Sequence, residues 1–176
     1  MCLREIALIF FGLIIVFTLG AAVLPRLNVS GLSDWRACMR WGLALALVTT
    51  GLDHLANSDR YLPMMPDFVP LHSQVIFFTG LCELAGALGL LVVKLRWWAA
   101  VMLSIYFVCV FPANIKNAVE GLAVEGLPSA TWYYWIRLLF QPIVIWWSLY
   151  VGGVTNWPIE QQIGVEGAGP SGSTGP

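Results

Sequence analysis

Charge is what this chain has least of. Nine Lys+Arg and ten Asp+Glu in 176 residues make it 11% charged, against about a quarter in an ordinary soluble domain. The formal net charge of −1 leaves no basic face to neutralise phosphates, which excludes nucleic acid as a partner. Histidine is scarcer still, at two residues, and none of the four cysteines (Cys2, Cys38, Cys82, Cys109) forms a CxxC pair. A thiol–disulfide enzyme therefore lacks its motif, and His54 and His72 alone are too thin a set for a metal or haem, so no metal is expected. The chain also lacks a GxGxxG fingerprint, a P-loop and a Ser/His/Asp order. Nucleotide and hydrolase chemistry thus have no support, and no catalytic residue can be assigned.

What is present is apolar. The chain is 59% hydrophobic with a mean hydropathy of +0.77. Apolar runs at 6–24, 35–55, 75–93, 97–117 and 132–151 each approach the roughly 20 residues that cross a bilayer. The expectation is an all-α integral membrane protein with five spans. Residues 1–27 form a first transmembrane helix, 28–154 the main membrane domain, and 155–176 a Gly/Pro/Ser-rich tail. The first run, with Gly20-Ala21-Ala22, also fits a cleavable signal peptide; its length favours a retained helix. Ser33 or Asp34 stands where the second helix needs a cap.

The brief Lys94-Leu95-Arg96 turn makes the third and fourth spans antiparallel neighbours. Arg26, Arg36, Arg40, Lys94 and Arg96 fall on one side of the membrane, and Arg4, Arg60 and Lys116 on the other. Five cations against three place the C-terminus in the cytoplasm and the N-terminus outside. Between the second and third spans, Pro63, Pro66 and Pro70 alternate with Tyr61, Met64, Met65 and Phe68. So apolar a loop is expected to lie against the mouth of the bundle.

One carboxylate organises the polar residues. Counted from Ser73, Glu83 lies roughly 15 Å deep, near the midplane, where an unpaired acid costs on the order of 3 kcal/mol. Gly80, Gly86 and Gly89 share its helix and let other helices approach closely. Asp53, His54, Asn114, Lys116 and Arg137 gather toward the non-cytoplasmic ends of their spans, with Gln141 deeper. Two readings follow. Glu83 and Arg137 form an ion pair that sets helix register, or these residues line an outward-facing pocket for a small lipophilic ligand or for protons. Pro112 is expected to free a carbonyl near Val108 that needs a polar partner inside the protein.

Gly51-Leu52-Asp53-His54, Gly80-Leu81-Cys82-Glu83-Leu84-Ala85-Gly86, Phe111-Pro112-Ala113-Asn114-Ile115 and Arg137-Leu138-Leu139-Phe140-Gln141 together resemble the DoxX-like family of small membrane proteins, over residues 35–152. The resemblance implies an antiparallel four-helix bundle with the first helix as an addition, in a bacterial inner membrane. It carries His54, Glu83, Asn114, Arg137 and Gln141 over as motif positions. It further implies an accessory or anchor subunit of a larger redox complex, with other membrane subunits or further copies of the chain as partners. The alternative is a quinone- or lipophile-binding oxidoreductase with its pocket at Glu83 and Arg137. No cofactor is required by the residues themselves; a quinone is the one the resemblance allows. Leu55 departs from the family, which often has an aromatic there.

Overall fold

A computed structural model describes residues 6–23, 34–120 and 131–157. Among the described residues every regular element is helical. The helices are α1 (Ile6–Val23), α2 (Trp35–Ala56), a short 3-10 helix (Ser58–Met64), α3 (His72–Leu91), α4 (Arg96–Glu120) and α5 (Thr131–Gly152). The apolar runs and the helices agree to within a few residues. Of the two expected caps, Asp34 is the one described: its carboxylate accepts from the Arg36 amide at 3.2 Å, satisfying a donor that the first turn leaves open. Ser33, Glu125 and the tail from 158 onward lie outside the described residues.

By length and composition α3 and α4 can cross a membrane, with mean hydropathies of 1.7 and 1.8. Only 33% and 28% of their apolar windows are buried inside the bundle, whereas the core helix of a water-soluble protein is mostly buried. Phe77, Phe78, Leu88, Trp98, Met102, Ile105 and Val108 point outward, a surface suited to lipid rather than to water.

Glycine sets how closely the helices meet. A Cβ on Gly80 would lie 2.9 Å from the Gly51 carbonyl oxygen, and one on Gly51 would lie 3.0 Å from that of Gly80. The backbones of α2 and α3 touch there, which carries His54 toward Glu83, one turn further along α3. Gly86 and Gly89 serve a different neighbour. They admit Leu103 and Ala99 of α4, where added Cβ atoms would come within 2.4 and 2.7 Å. Gly152 likewise lets α5 approach Ala100, and Gly42 lets α1 settle on α2 at Thr18.

The core divides in two. At the end holding the α3–α4 turn it is apolar, built on Leu43, Leu47, Leu90, Leu103 and Val151, all 2% exposed or less. Its polar pair is the Ser104 and Ser148 hydroxyls, 2.7 Å apart; one donates to the other, which donates to its own helix carbonyl, Ala100 for Ser104 or Ile145 for Ser148. Toward the opposite end the side chains between the helices become polar, and the loop after α2 closes over them. That loop is not free. Met64 is 4% exposed and Pro66 is buried, as its apolar composition led one to expect. It runs into α3 through Leu71, whose φ of 57° and ψ of 49° are left-handed.

Replacing Gly80 by Val forces α2 and α3 apart, and overpacking of this kind costs about 1–3 kcal/mol; thermal unfolding in mild detergent measures it. Leu71 is largely exposed, so Leu71→Asn relieves part of the roughly 1–2 kcal/mol left-handed penalty. It is expected to raise the same unfolding temperature.

Candidate functional site

Four helices and the loop enclose a cavity of about 160 Å³. The last turns of α2 bring Thr50 and His54 to it, and α3 brings Ile76, Thr79 and Glu83. From α4 come Tyr106, Phe107, Val110, Ala113 and Asn114, from α5 Arg137, Gln141 and Val144, and the loop roofs it with Tyr61, Met64 and Met65. Five residues singled out in the sequence thus line one volume: His54, Glu83, Asn114, Arg137 and Gln141. Helical spacing places them there, because positions three or four apart share a face.

Glu83 is 6% exposed. Its Oε1 accepts a hydrogen bond from the Tyr106 hydroxyl at 2.7 Å, whereas Oε2 accepts none. The nearest group across from Oε2 is His54 Nδ1, at 3.6 Å. That ring nitrogen also sits 3.5 Å from Thr79 Oγ1, and the Thr79 proton is already donated to the Ile76 carbonyl at 2.6 Å. Both neighbours of Nδ1 therefore offer lone pairs, which places the imidazole proton on Nδ1 and leaves Nε2 as the acceptor of the neutral ring. Tyr61 holds the ring edge-on, with centroids 4.3 Å apart.

The ion pair between Glu83 and Arg137 does not form. Among the described residues no carboxylate lies within ion-pair distance of Arg137. Tyr106 and His54, from α4 and α2, occupy the carboxylate's sides, and the cavity separates it from the guanidinium that lines the same volume. A buried acid with one open oxygen and a cation without a carboxylate are both costly in a low dielectric.

Asp53 and Lys116, expected in the pocket, instead brace its roof. The Asp53 carboxylate accepts from Asn57 Nδ2 at 2.7 Å, from Arg60 at 3.1 Å and from the Tyr61 hydroxyl. Burial first, then the hydrogen bond and charge of Asp53, raise the Tyr61 phenol above the ordinary tyrosine range, so it remains a donor. Lys116 donates to the Met65 carbonyl at 2.9 Å and to Asp67 at 2.8 Å. Asn114 and Gln141 are spent on holding α4 to α5. Asn114 donates to Gln141 Oε1 at 3.2 Å, and Gln141 donates to the Phe107 carbonyl at 2.6 Å. The helix carbonyl reached beside Pro112 is thus that of Phe107, one residue before the Val108 expected.

Tyr106 and Thr79 were not picked out from the sequence, and Tyr61 only as an apolar residue of the loop. Tyr106 did carry a signal, since tyrosine concentrates at membrane interfaces and a mid-span one needs a buried partner. Among the described residues no cluster of three or more His, Cys, Asp or Glu side chains is disposed to hold a metal. What the arrangement offers is hydrogen bonding: an open carboxylate oxygen, an imidazole beside it, and a guanidinium across the cavity. It can hold a polar group between the acid and the cation, with His54 Nδ1 3.6 Å from the acid, just beyond hydrogen-bond reach.

The tie from Lys116 lowers the Asp67 carboxyl below its ordinary 3.8, through the hydrogen bond first and the charge second. A lowered carboxyl contributes to holding the roof above its unfolded value, and the contribution is lost as pH falls through the lowered one. Asp67→Asn is expected to speed hydrogen exchange of the loop amides at neutral pH. It should also flatten the loosening that the unaltered chain shows below about pH 3.8.

The chain matches no curated protein and no solved structure. Residues 43–152 match the family described as a domain of unknown function (DUF8561). That stretch is well over half of the chain, runs from within α2 to the end of α5 and holds every polar residue that lines the cavity, and the protein belongs to this family.

Proposed function

We propose that this protein binds a small lipophilic molecule, with the molecule's polar head between Glu83 and Arg137 and the 57–71 loop as its roof. In this reading all five long helices span a bacterial inner membrane, as a DoxX-like four-helix bundle with α1 added. The N-terminus is outside and the C-terminus cytoplasmic, so the cavity lies toward the outer side, beneath its loop roof. The observation that carries the reading is Glu83, 6% exposed with Oε2 unbonded at the edge of a cavity. A helix bundle that needed this acid only for register would be expected to satisfy both oxygens. A quinone-type head, with oxygens that accept when oxidised and donate when reduced, is one chemistry such a site suits. The competing reading is an accessory or anchor subunit of a redox complex.

Native mass spectrometry of the full chain, taken from its own membranes in mild detergent, separates the two. A bound small molecule is expected. Glu83→Gln and Arg137→Leu each remove a charge-assisted hydrogen bond worth about 1.5–3 kcal/mol, so occupancy should fall at least about tenfold while circular dichroism stays helical. Additional polypeptides without any small molecule would instead establish the subunit reading.

A further inference from the structure

On one side the cavity shares its wall with a groove on the outside of the bundle. A second hollow, of about 720 Å³, runs between α3 and α4, and Met65, Thr79, Tyr106, Val110 and Ala113 line both. The two volumes meet on the loop side of Glu83. From there the hollow descends over the small side chains of Cys82, Ala85, Gly86, Gly89 and Ala99 as far as Leu95 and Trp98 at the α3–α4 turn. Thr79 to Gly89 advances about 15 Å at the helical rise, half of a hydrocarbon core about 30 Å thick, and spans the depth of Glu83 on both sides.

We propose that the ligand is a single-chain amphiphile that reaches the site sideways from the bilayer. Its tail lies in the α3–α4 groove and its head is uncharged, bearing both a hydrogen-bond donor and an acceptor. This rests on the cavity being a ligand site.

Three observations carry it. The cavity holds a head but not a chain as well, and its roof is tied down by Asp53 and Lys116, so a tail must leave through the side that Tyr106 and Thr79 share with the groove. The helices already touch at Gly86 against Leu103 and at Gly89 against Ala99, so the floor there is shallow and seats one chain rather than two. The charge of the cavity decides the head. Glu83 and Arg137 face the same space with opposite signs, and the other titratable groups around it, His54, Tyr61 and Tyr106, add no fixed charge when neutral. An anionic or cationic head would leave one charge uncompensated in a low dielectric. A neutral head that donates to Glu83 Oε2 and accepts from Arg137 leaves none.

Cys82 lines the groove and is half-buried, which gives a native reporter. With the full chain in lipid nanodiscs, alkylation of Cys82 by a membrane-permeant maleimide is followed by peptide mass spectrometry. Decylhydroquinone and monodecanoylglycerol are the neutral probes, decanoate and decyltrimethylammonium the charged ones, and ethylhydroquinone the short-tailed head. Both neutral decyl probes are expected to slow alkylation about tenfold, the charged probes and the short head little. Protection by only one of the neutral pair would identify the head as phenolic or glyceryl within the same class. Ala85 points outward, so Ala85→Phe fills the groove without touching the core. It should abolish the protection while leaving ethylhydroquinone bound, as native mass spectrometry reads it. Equal protection by charged and neutral probes, or protection that survives Ala85→Phe, would overturn the proposal. Binding of ethylhydroquinone that ignores Glu83→Gln is a separate result, and would remove the cavity reading itself.

Discussion

A carboxylate taken out of water needs something to offset its lost hydration, and most of the polar structure of this bundle follows from that need. Glu83 sits where α2, α3 and α4 converge, and each supplies part of its surroundings: its own helix places it, Tyr106 donates to one oxygen, and His54 stands beside the other. The approach of His54 depends on the backbone contact between Gly51 and Gly80. Side chains at either position would hold the helices apart and leave the acid with one partner fewer. Among the described residues the remaining oxygen has no partner within hydrogen-bond distance, His54 Nδ1 at 3.6 Å standing just outside it, and on that opening the proposed ligand rests.

The other polar groups divide by what they hold. Asp53 and Lys116 stand near helix ends and hold the loop, through Asn57, Arg60 and Tyr61 on one side and Met65 and Asp67 on the other. Asn114 and Gln141 hold α4 to α5 beside Pro112, where a helix is short of one backbone donor. Glu83, His54 and Arg137 line the cavity without such ties. Loop, braces and open groups thus form layers. The outer ties keep the roof in place over the inner groups.

A low charge content gains a physical meaning in this setting. Each ion that the described helices bury is either bonded to a backbone carbonyl, as Arg40 is to Val151, or placed at the cavity. Apolar residues cover the rest: Leu90, Leu103 and Phe107 pack inward, while Phe78, Leu88, Trp98 and Met102 point away from the bundle. The groove between these two helices interrupts that cover with small side chains and adjoins the cavity.

The helices and their ends were legible in the sequence, because an apolar run of about 20 residues with a cap and a turn at its ends has little else it can form. The residues that share the cavity were legible as well, since helical spacing puts Arg137 with Gln141 and, on α3, Gly80 with Glu83 on common faces. Partner choice was not. Opposite charges suggested Glu83 with Arg137, but whether two side chains on different helices meet depends on helix rotation and approach. Those are decided by where glycine lets backbones touch. The same reason sent Asp53 and Lys116 to the roof: their partners, Arg60, Tyr61 and Asp67, lie on a loop whose path no periodicity describes. The sequence by itself determined which residues are apolar, where the helices run and which polar groups are too deep to be idle. Only the tertiary structure decided which of them are satisfied by one another, because a hydrogen bond requires angstrom-scale proximity that composition and spacing do not specify.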